Sequence, residues 1–443
     1  MARVRSDNQV WPALADIPHP PHRLPIFGDL IGTSSDQPVQ DSMRLARELG
    51  PIFRRKVLDR EFVLVGGAEL IADLMDEDRF RKQVGLGVSN LRPLGGDGLF
   101  TAYGFEHNWQ RAHDILTPGF TRDAMRGYHA TMVKVAHRLI GSWDEHLDGT
   151  EIDVPGDMTR MTFDTIARTG FGQDLGIFDR PEPHPFVTAM VDALDYALHG
   201  ESVLPIIGPW ISRDRRHRSA EALRYIFDFV DGVVRSRQEA GDSTGDDGNQ
   251  DLLGLMLNSA QPGTGEKLSA ANIRNQVITF LIAGHETTSG ALSFALYFLT
   301  QHPEIQAGAR AEVDEVWGAD GDPEYGEVAK LRYVRRVLDE SLRLWPTAPG
   351  FSREALHDTM LAGRYPMRRG DGCTILLPLL HRDPSLWGDD AETFNPDRFT
   401  PEAVRARPGY AYKPFGHGAR ACIGRQFALH EATLVLGLLL RHF

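Results

Sequence analysis

Cysteine is scarce in this sequence of 443 residues, which contains only Cys373 and Cys422. Two cysteines cannot build a disulfide framework or a cysteine-rich zinc site. They could form one disulfide, but two thiols in a reducing cytosol are the simpler interpretation. We therefore expect a cytoplasmic protein whose fold does not depend on disulfides.

Basic charge and long apolar runs are scarce as well. The 48 Lys and Arg residues against 61 Asp and Glu residues give a formal net charge of −13. A general nucleic-acid binder needs a basic surface, so this class is excluded, although a local basic patch for an acidic partner stays open. No run of about 18 uninterrupted apolar residues occurs, and the N-terminus lacks an apolar core of signal-peptide length. We expect no membrane span.

The sequence also lacks a repeat of fixed period and a linker rich in Gly, Ser or Pro between two periodic blocks. Its 42% hydrophobic and 25% charged residues are ordinary for a globular protein with a large core. We predict that residues 1–443 form a single domain, mainly α with a small β lobe. Near the N-terminus we expect a helix at 38–49 and strands at 52–57 and 61–65, with Arg60 in the turn between the strands.

The most informative stretch is FGHGARACIG at residues 415–424. An apolar run of helical period without proline follows, so Cys422 lies at or just before a helix N-terminus. The N–H groups and the dipole at a helix start stabilise a thiolate, the form of cysteine that binds metals. The alternative is a buried cysteine that serves only as a small hydrophobic residue.

This stretch resembles the haem-ligand loop of the cytochrome P450 family, Phe-x-x-Gly-x-Arg-x-Cys-x-Gly. All fixed positions match: Phe415, Gly418, Arg420, Cys422 and Gly424. The resemblance implies the cytochrome P450 fold, with haem b (iron protoporphyrin IX) between a long central helix and the helix after the cysteine loop. It also implies that Cys422 is the axial ligand of the iron and that Arg420 contacts the haem.

A second motif, AGHETT, lies in the middle of a long helix predicted at 270–301. This helix is apolar nearly all round and should be buried. Threonine hydroxyls bonded to carbonyls four residues earlier, together with a paired Glu286, would explain the motif without a function. The resemblance instead implies that Thr287 orders dioxygen and its water, that Glu286 relays protons, and that Ala283 lines the substrate pocket.

A third motif places Glu340 and Arg343 on one face of a helix. An isolated Glu-x-x-Arg is common, but here it stands between the long helix and the cysteine loop, as in the family. The resemblance implies a structural ion pair tied to the FNPDRF segment through Arg398.

Further haem contacts rest on the resemblance. Trp109 and His113 share a helix face and would hold a haem propionate; His113 stands where the family usually has Arg. Lys82 is a weaker candidate for the same role. The simpler alternatives are core packing for Trp109 and His113, and a solvated surface charge for Lys82.

The substrate contacts rest on the resemblance too. Phe100 lies in a glycine-rich segment, residues 83–106, which we predict to be a mobile loop over the substrate. Ala348 would line the pocket, and Arg60 would anchor a carboxylate at the channel mouth; core packing for Phe100 and a solvated turn for Arg60 are the alternatives. Leu64 stands where the most similar members have a Tyr that assists this Arg, which weakens the case for a carboxylate.

The segment VLPIIGPWISRDRRHR, residues 203–218, joins an apolar stretch to a basic cluster. It is either a loop followed by a solvated charge run or a lid over a lipophilic substrate entrance whose basic residues meet acidic groups.

In its sequence motifs, the chain most resembles the bacterial fatty-acid hydroxylases of the self-sufficient class, which carry a fused flavin reductase. We therefore predict a haem-thiolate monooxygenase that inserts one oxygen atom from O2 into a C–H bond of a fatty acid or similar long-chain compound. Alternatives are a hydroxylase of terpenoids or polyketides, a peroxygenase, which typically lacks the acid–Thr pair, and a haem-binding lipid sensor without turnover.

The chain ends at Phe443, before the β-hairpin and the reductase expected of such relatives. Either it is a trimmed domain or the relatives differ at this end, and an incompetent fragment is a further alternative. Electrons would come from a flavin-containing NAD(P)H reductase or a ferredoxin, separate or fused outside these residues.

Overall fold

A computed structural model describes residues 11, 14–25, 27–29, 37–58, 60–147, 149–180, 182–199, 213–240, 251–318 and 321–443. The described residues are mainly helical with a small β-sheet region, so the predicted fold class is confirmed. The apolar part of the predicted lid, residues 203–212, lies outside the described residues.

The helices, numbered along the described chain, are α1 (Pro38–Leu49), α2 (Ala68–Leu74), α3 (Leu86–Ser89), α4 (Arg92–Gly95), α5 (His107–Leu116), α6 (Arg122–Asp144), α7 (Val154–Phe171), α8 (Pro185–His199), α9 (Arg213–Glu239), α10 (Leu252–Asn258), α11 (Ala270–Gln301), α12 (Pro303–Trp317), α13 (Tyr325–Val328), α14 (Arg332–Leu344), α15 (Leu377–Leu380), α16 (Pro384–Trp387), α17 (Pro401–Ala406) and α18 (Arg425–His442). The strands are β1 (Ile52–Val57), β2 (Arg60–Val65), β3 (Phe80–Gln83), β4 (Gly350–Ala355), β5 (Thr359–Leu361), β6 (Tyr365–Met367) and β7 (Gly372–Leu376).

The chain divides into two compact units that interleave in sequence. The first, the sheet unit, consists of Met1–Gly85, Ala348–Thr393 and Arg405–Ala421. The second, the helical unit, consists of Leu86–Thr347, Phe394–Val404 and Cys422–Phe443. The boundary therefore falls inside the cysteine loop, between Ala421 and Cys422.

The sheet unit is built on a five-stranded sheet in the order β1-β2-β7-β4-β3. Strands β1 and β2 are antiparallel, β2 and β7 run parallel, and β4 is antiparallel to both β7 and β3. Its core includes Ile71, Leu74, Phe80 and Ile375, all fully buried. Apolar side chains on one face of a sheet need such a cover, and helix α2 supplies part of it.

The position of Arg60 differs from the prediction. It is the first residue of β2, opposite Val57 of β1, and not a residue of the turn. The chain reverses at Leu58, whose φ of 57° lies in the left-handed region. The turn between the two strands therefore uses fewer residues than we predicted. The Arg60 side chain is exposed.

The helical unit is organised around α11, whose predicted bounds are confirmed. The Ser269 hydroxyl accepts a hydrogen bond from the Asn272 N–H at 3.2 Å and caps the first turn. The helix ends before His302 because His302 precedes Pro303, and the helical conformation is disfavoured for a residue that precedes a proline. In its middle, a Cβ on Gly284 would lie 3.0 Å from Ile166 Cγ1 of α7, so glycine lets the two helices approach closely.

Helix α18, which follows the cysteine loop, is buried along most of its length; Leu434 and Leu436 are fully inaccessible. Among the described residues, no helix is both long enough and apolar enough to cross a membrane.

Helix α18 also buries an acid. Glu431 is fully inaccessible, and neither of its carboxylate oxygens has a hydrogen-bond partner. Burial raises the pKa of Glu431 to about 8. Because a free glutamate has a pKa of about 4.3, the folded state holds this proton more tightly than the unfolded state. Glu431 therefore lowers stability progressively as the pH rises from about 4.3 towards about 8.

We predict that Glu431→Gln becomes more stabilising relative to the native chain as the pH increases over this range. The gain should approach ~5 kcal/mol, at about 1.36 kcal/mol for each unit of pKa shift. Urea unfolding at several pH values measures it. The matched control is Glu304→Gln, whose carboxylate is 74% exposed. A stability difference for Glu431→Gln that does not change with pH would contradict the prediction.

Candidate active site

The part of the cysteine loop in the sheet unit is shaped by two glycines and two hydrogen bonds. Gly416 and Gly418 have φ values of 77° and 73°, in the left-handed region that favours glycine. The His417 Nε2–H donates to the Met75 carbonyl at 2.9 Å. The Ala419 N–H donates to a Glu77 carboxylate oxygen at 3.1 Å, and a Cβ on Gly418 would overlap this carboxylate. These contacts hold the loop against the end of α2.

The two cysteines lie in different surroundings. Cys373, on β7, is a free buried thiol whose pKa burial raises to about 12, so it stays neutral and inert. Cys422 is exposed and stands three residues before the first residue of α18. An accessible sulfur at a helix N-terminus fits a metal ligand better than a small hydrophobic core residue.

The middle of α11 is buried on most sides but accessible along one stripe. Ala283, Glu286 and Thr287 are exposed, at the i, i+3 and i+4 spacing of one helix face. The neighbours on the other faces, His285 and Thr288, are 2% and 3% exposed. The accessible residues are those at which the AGHETT motif places the chemistry.

Glu286 carries a modified acidity. Its side chain keeps 50% of its accessible surface, yet desolvation by the surrounding protein raises its pKa. His285 Nε2 lies 4.0 Å from Glu286 Oε1. Burial lowers the pKa of His285, so the ring is neutral near pH 7 and does not hold the carboxylate as an opposite charge. The alternative of an ion-paired Glu286 is therefore not supported.

The hydroxyl of Thr287 donates to the Ala283 carbonyl at 2.8 Å. The alternative in which the threonines of the motif only bond to the helix backbone requires the same contact. This bond uses the hydroxyl proton and leaves the oxygen lone pairs as acceptors. A second tie fixes the same turn: the Thr162 hydroxyl of α7 donates to the His285 carbonyl at 2.8 Å. The accessible stripe is thus held in place by bonds on the buried side.

Glu340 and Arg343 form the expected ion pair on α14. Their side chains are fully buried, and two hydrogen bonds of 2.6 and 2.7 Å join them. The Asn395 N–H donates to Glu340 at 2.8 Å, and Arg398 Nε lies 3.6 Å from Glu340. Burial raises the pKa of Glu340 while Arg343 opposes the shift. The pair links α14 to the segment 394–399, which follows it by some fifty residues in sequence.

The remaining predicted residues divide between the two units. In the helical unit, the rings of Trp109 and His113 stack with centroids 4.9 Å apart, and Phe100 is 39% exposed. The sheet unit contains Arg60, Lys82 (on β3, opposite Arg353), Ala348 (exposed), Phe415 and Arg420 (in a 3-10 turn, Gly418–Arg420).

Residues 83–106 do not form the irregular loop that we predicted. They contain α3 and α4, and the stretch after α4 is hydrogen-bonded to α11. The Asp97 carboxylate accepts bonds from the side-chain amides of Asn272 and Asn275 at 2.9 and 2.7 Å. The Leu99 N–H donates to Gln276 at 3.0 Å. Sequence reasoning missed this cluster, although three amide residues in the first turns of a buried helix were a visible signal.

Comparison with known proteins places the chain in a family. The family model described as "Cytochrome P450" matches residues 18–443. A bifunctional cytochrome P450/NADPH–P450 reductase of Bacillus cereus is 47% identical over 428 residues, covering 96% of this chain and 39% of the relative. A second bifunctional enzyme, from Bacillus subtilis, is 46% identical over 427 residues, covering 96% and 39%. A self-sufficient cytochrome P450 monooxygenase of Aspergillus terreus is 38% identical over 424 residues, covering 96% and 40%.

This chain belongs to the cytochrome P450 family. The predicted resemblance to the self-sufficient class is confirmed, and the chain spans about two fifths of the length of the curated relatives that it matches. Members of the family use haem. The residues present fit that group, since the exposed Cys422 precedes a helix and a thiolate is the axial ligand of P450 haem iron.

We predict that Arg343→Met lowers the free energy of unfolding by about 3–5 kcal/mol, because it leaves the buried Glu340 carboxylate without its hydrogen-bonded counter-charge. Chemical denaturation measures the change. Arg332→Met, an exposed arginine on the same helix, is the control and should change stability by less than about 0.5 kcal/mol. Equal effects of the two substitutions would show that the pair does not stabilise the fold.

Proposed function

We propose that this chain is the haem-binding part of a monooxygenase that inserts one oxygen atom from O2 into a C–H bond of a lipophilic substrate, a fatty acid or similar long-chain compound. One observation carries the proposal: the single accessible stripe in the middle of α11 presents an acid of raised pKa, Glu286, beside a hydroxyl, Thr287. A haem-binding sensor or carrier needs neither group at an accessible position.

The cofactor would be haem b, with Cys422 as the ligand of its iron. Phe415 and Gly424 would shape the ligand loop. The cationic and ring N–H donors proposed for the propionates are Arg420, Trp109, His113 and Lys82. Bound haem supplies the redox centre at which dioxygen is reduced and its O–O bond is split.

The reaction consumes one O2, two electrons and two protons, and it yields one hydroxylated product and one water. The protons must reach oxygen in a pocket that excludes bulk water. Glu286 suits this role because desolvation raises its pKa, so it keeps a proton at a higher pH than a free glutamate does. The Thr287 oxygen, whose proton is bonded to the Ala283 carbonyl, would accept a hydrogen bond from a water molecule and so order the water through which a proton reaches oxygen.

The substrate would lie against Phe100, Ala283 and Ala348, and Arg60 would bind a carboxylate. Arg60 is exposed at the start of β2, which suits a channel mouth. Leu64, four residues along the same strand, is buried against Phe53 and Leu376 and has no hydroxyl to assist Arg60. This favours a second candidate, the hydroxylation of neutral lipophilic compounds such as terpenoids or polyketides.

Electrons would come from a flavin-containing NAD(P)H reductase, since the relatives named above are bifunctional enzymes with an NADPH–P450 reductase; a ferredoxin is the alternative donor. We place the protein in the cytoplasm, where a buried free thiol such as Cys373 stays reduced.

Substrate class can be measured by the shift of the haem Soret band on addition of fatty acids, terpenoids and polyketide-like compounds. We expect fatty acids to give the largest shift and to yield hydroxylated products with O2, NADPH and a P450 reductase. A shift without any oxygenated product would favour a lipid sensor, and turnover with peroxide alone would favour a peroxygenase.

We predict that Thr287→Ala uncouples the reaction: NADPH and O2 are still consumed, but most of the electrons appear as hydrogen peroxide. The reason is that the variant lacks the hydroxyl that orders oxygen and water. The measurement is the ratio of product formed to NADPH consumed. Thr287→Ser should keep most of the coupling, and Thr300→Ala, at an exposed position near the end of α11, should not change it. Native coupling in Thr287→Ala would remove the proposed role.

A further inference from the structure

The strongest unassigned feature of the helical unit is the carboxylate of Asp97. It accepts hydrogen bonds from three side-chain amides: Asn108 of α5 at 2.6 Å, Asn272 of α11 at 2.9 Å and Asn275 of α11 at 2.7 Å. Burial pushes the pKa of Asp97 up, but the three amide bonds outweigh it and the pKa is lowered overall. The carboxylate therefore stays ionised near pH 7, held by neutral donors.

The glycines beside Asp97 bring the backbone onto α11. A Cβ on Gly96 would overlap the Asn275 amide, and a Cβ on Gly98 would overlap the Thr279 hydroxyl and lie 2.8 Å from the Asn275 carbonyl oxygen. Gly96 also has a φ of 52°, in the left-handed region. The glycines of this segment thus allow close contact between backbone and helix.

The residues after Asp97 are held at both ends. On one side, the Leu99 N–H donates to the Gln276 side chain at 3.0 Å. On the other, Arg92 donates to the Thr101 carbonyl at 2.7 Å and forms an ion pair with Glu106. Thr101 and Ala102 are buried at 2% and 0% exposure, while Phe100 between these ties is 39% exposed. The backbone under Phe100 is therefore fixed.

The helix that holds this segment is the helix that carries Glu286 and Thr287. Thr279, which touches Gly98, precedes Thr287 by eight residues, or about 12 Å along the axis at 1.5 Å per residue. A rigid helix thus sets the distance between the anchored segment and the acid–hydroxyl pair.

We propose that Asp97 is a positioning residue for regioselectivity: by clamping residues 96–102 to α11, it fixes Phe100 relative to Glu286 and Thr287 and so selects the C–H bond that is oxidised. This inference rests on the proposed monooxygenase function. The clamp recognises no ligand itself; it acts through the backbone that carries Phe100.

The test is a charge exchange within the cluster. Asp97→Asn leaves four side-chain amides in the cluster and no carboxylate. Asn275→Asp places a second carboxylate next to that of Asp97. The double variant Asp97→Asn/Asn275→Asp exchanges the two groups, so that one carboxylate again faces one amide across the contact between residues 97 and 275. Asn258→Asp, the same change at an exposed position at the end of α10, is the matched control. Asn272→Asp replaces Asn275→Asp should the latter fail to fold.

Two readouts are compared in the haem-loaded protein. Hydrogen exchange of peptides covering 96–102 should be about tenfold faster or more in each single variant, because a hydrogen-bonded charge is lost or opposed. The distribution of hydroxylated positions on a bound fatty acid should broaden in the same variants. Both should return towards native values in the double variant and stay native in Asn258→Asp.

Unchanged exchange in both single variants would overturn the clamp. Faster exchange with an unchanged product distribution would overturn its role in selectivity. If the native protein forms no oxygenated product with any reductase, the proposed function fails, whereas the exchange measurement, which needs no turnover, still decides whether Asp97 holds the segment.

Discussion

One constraint governs the helical unit: α11 must be buried on most sides and yet stay accessible at its centre. Packing alone would bury a 32-residue apolar helix completely. Gly284 lets α7 approach from behind, and Thr162 ties the His285 carbonyl on the same buried side. The opposite side is left to Ala283, Glu286 and Thr287, which are exposed. The close packing behind the helix therefore fixes the residues in front of it.

The same helix organises its surroundings along its length. Its first turns anchor residues 96–102 through three amide side chains, Asn272, Asn275 and Gln276. Helices α14 and α18 pack in the same core, and the buried Glu340–Arg343 pair connects α14 to the segment after residue 394. The buried Glu340 carboxylate has partners, as the cost of burying a charge requires. The carboxylate oxygens of Glu431, by contrast, have none, and its raised pKa is the consequence.

Features with a local cause could be predicted from the sequence. The bounds of α1 and α11 follow from helical period, a capping serine and the prolines that end each helix. The helix after Cys422 follows from an apolar run without proline. The ion pair of Glu340 and Arg343 follows from a spacing of three residues on one helix. In each case the interacting groups are neighbours in sequence, so the local sequence pattern is sufficient to predict the structure.

Features with distant partners could not be predicted. The glycines around Asp97 were interpreted as mobility, because two of the three amides that bond to Asp97, those of Asn272 and Asn275, lie about 175 residues further along the chain. Arg60 was placed in a turn because the left-handed conformation of Leu58 has no sequence signature. The accessible stripe of α11 depends on which neighbours cover the helix, and periodicity does not specify this. Glu77 beside the cysteine loop was missed for the same reason.

The central claim is that the sulfur of Cys422 binds haem iron. The absorption spectrum of the reduced carbon monoxide complex tests it most directly, since its main band distinguishes thiolate-ligated haem from other haem proteins. We predict that the native chain and Cys373→Ser both show the thiolate band and that Cys422→Ser loses it. A thiolate band that persists in Cys422→Ser, or its absence from the native chain loaded with haem, would contradict the account.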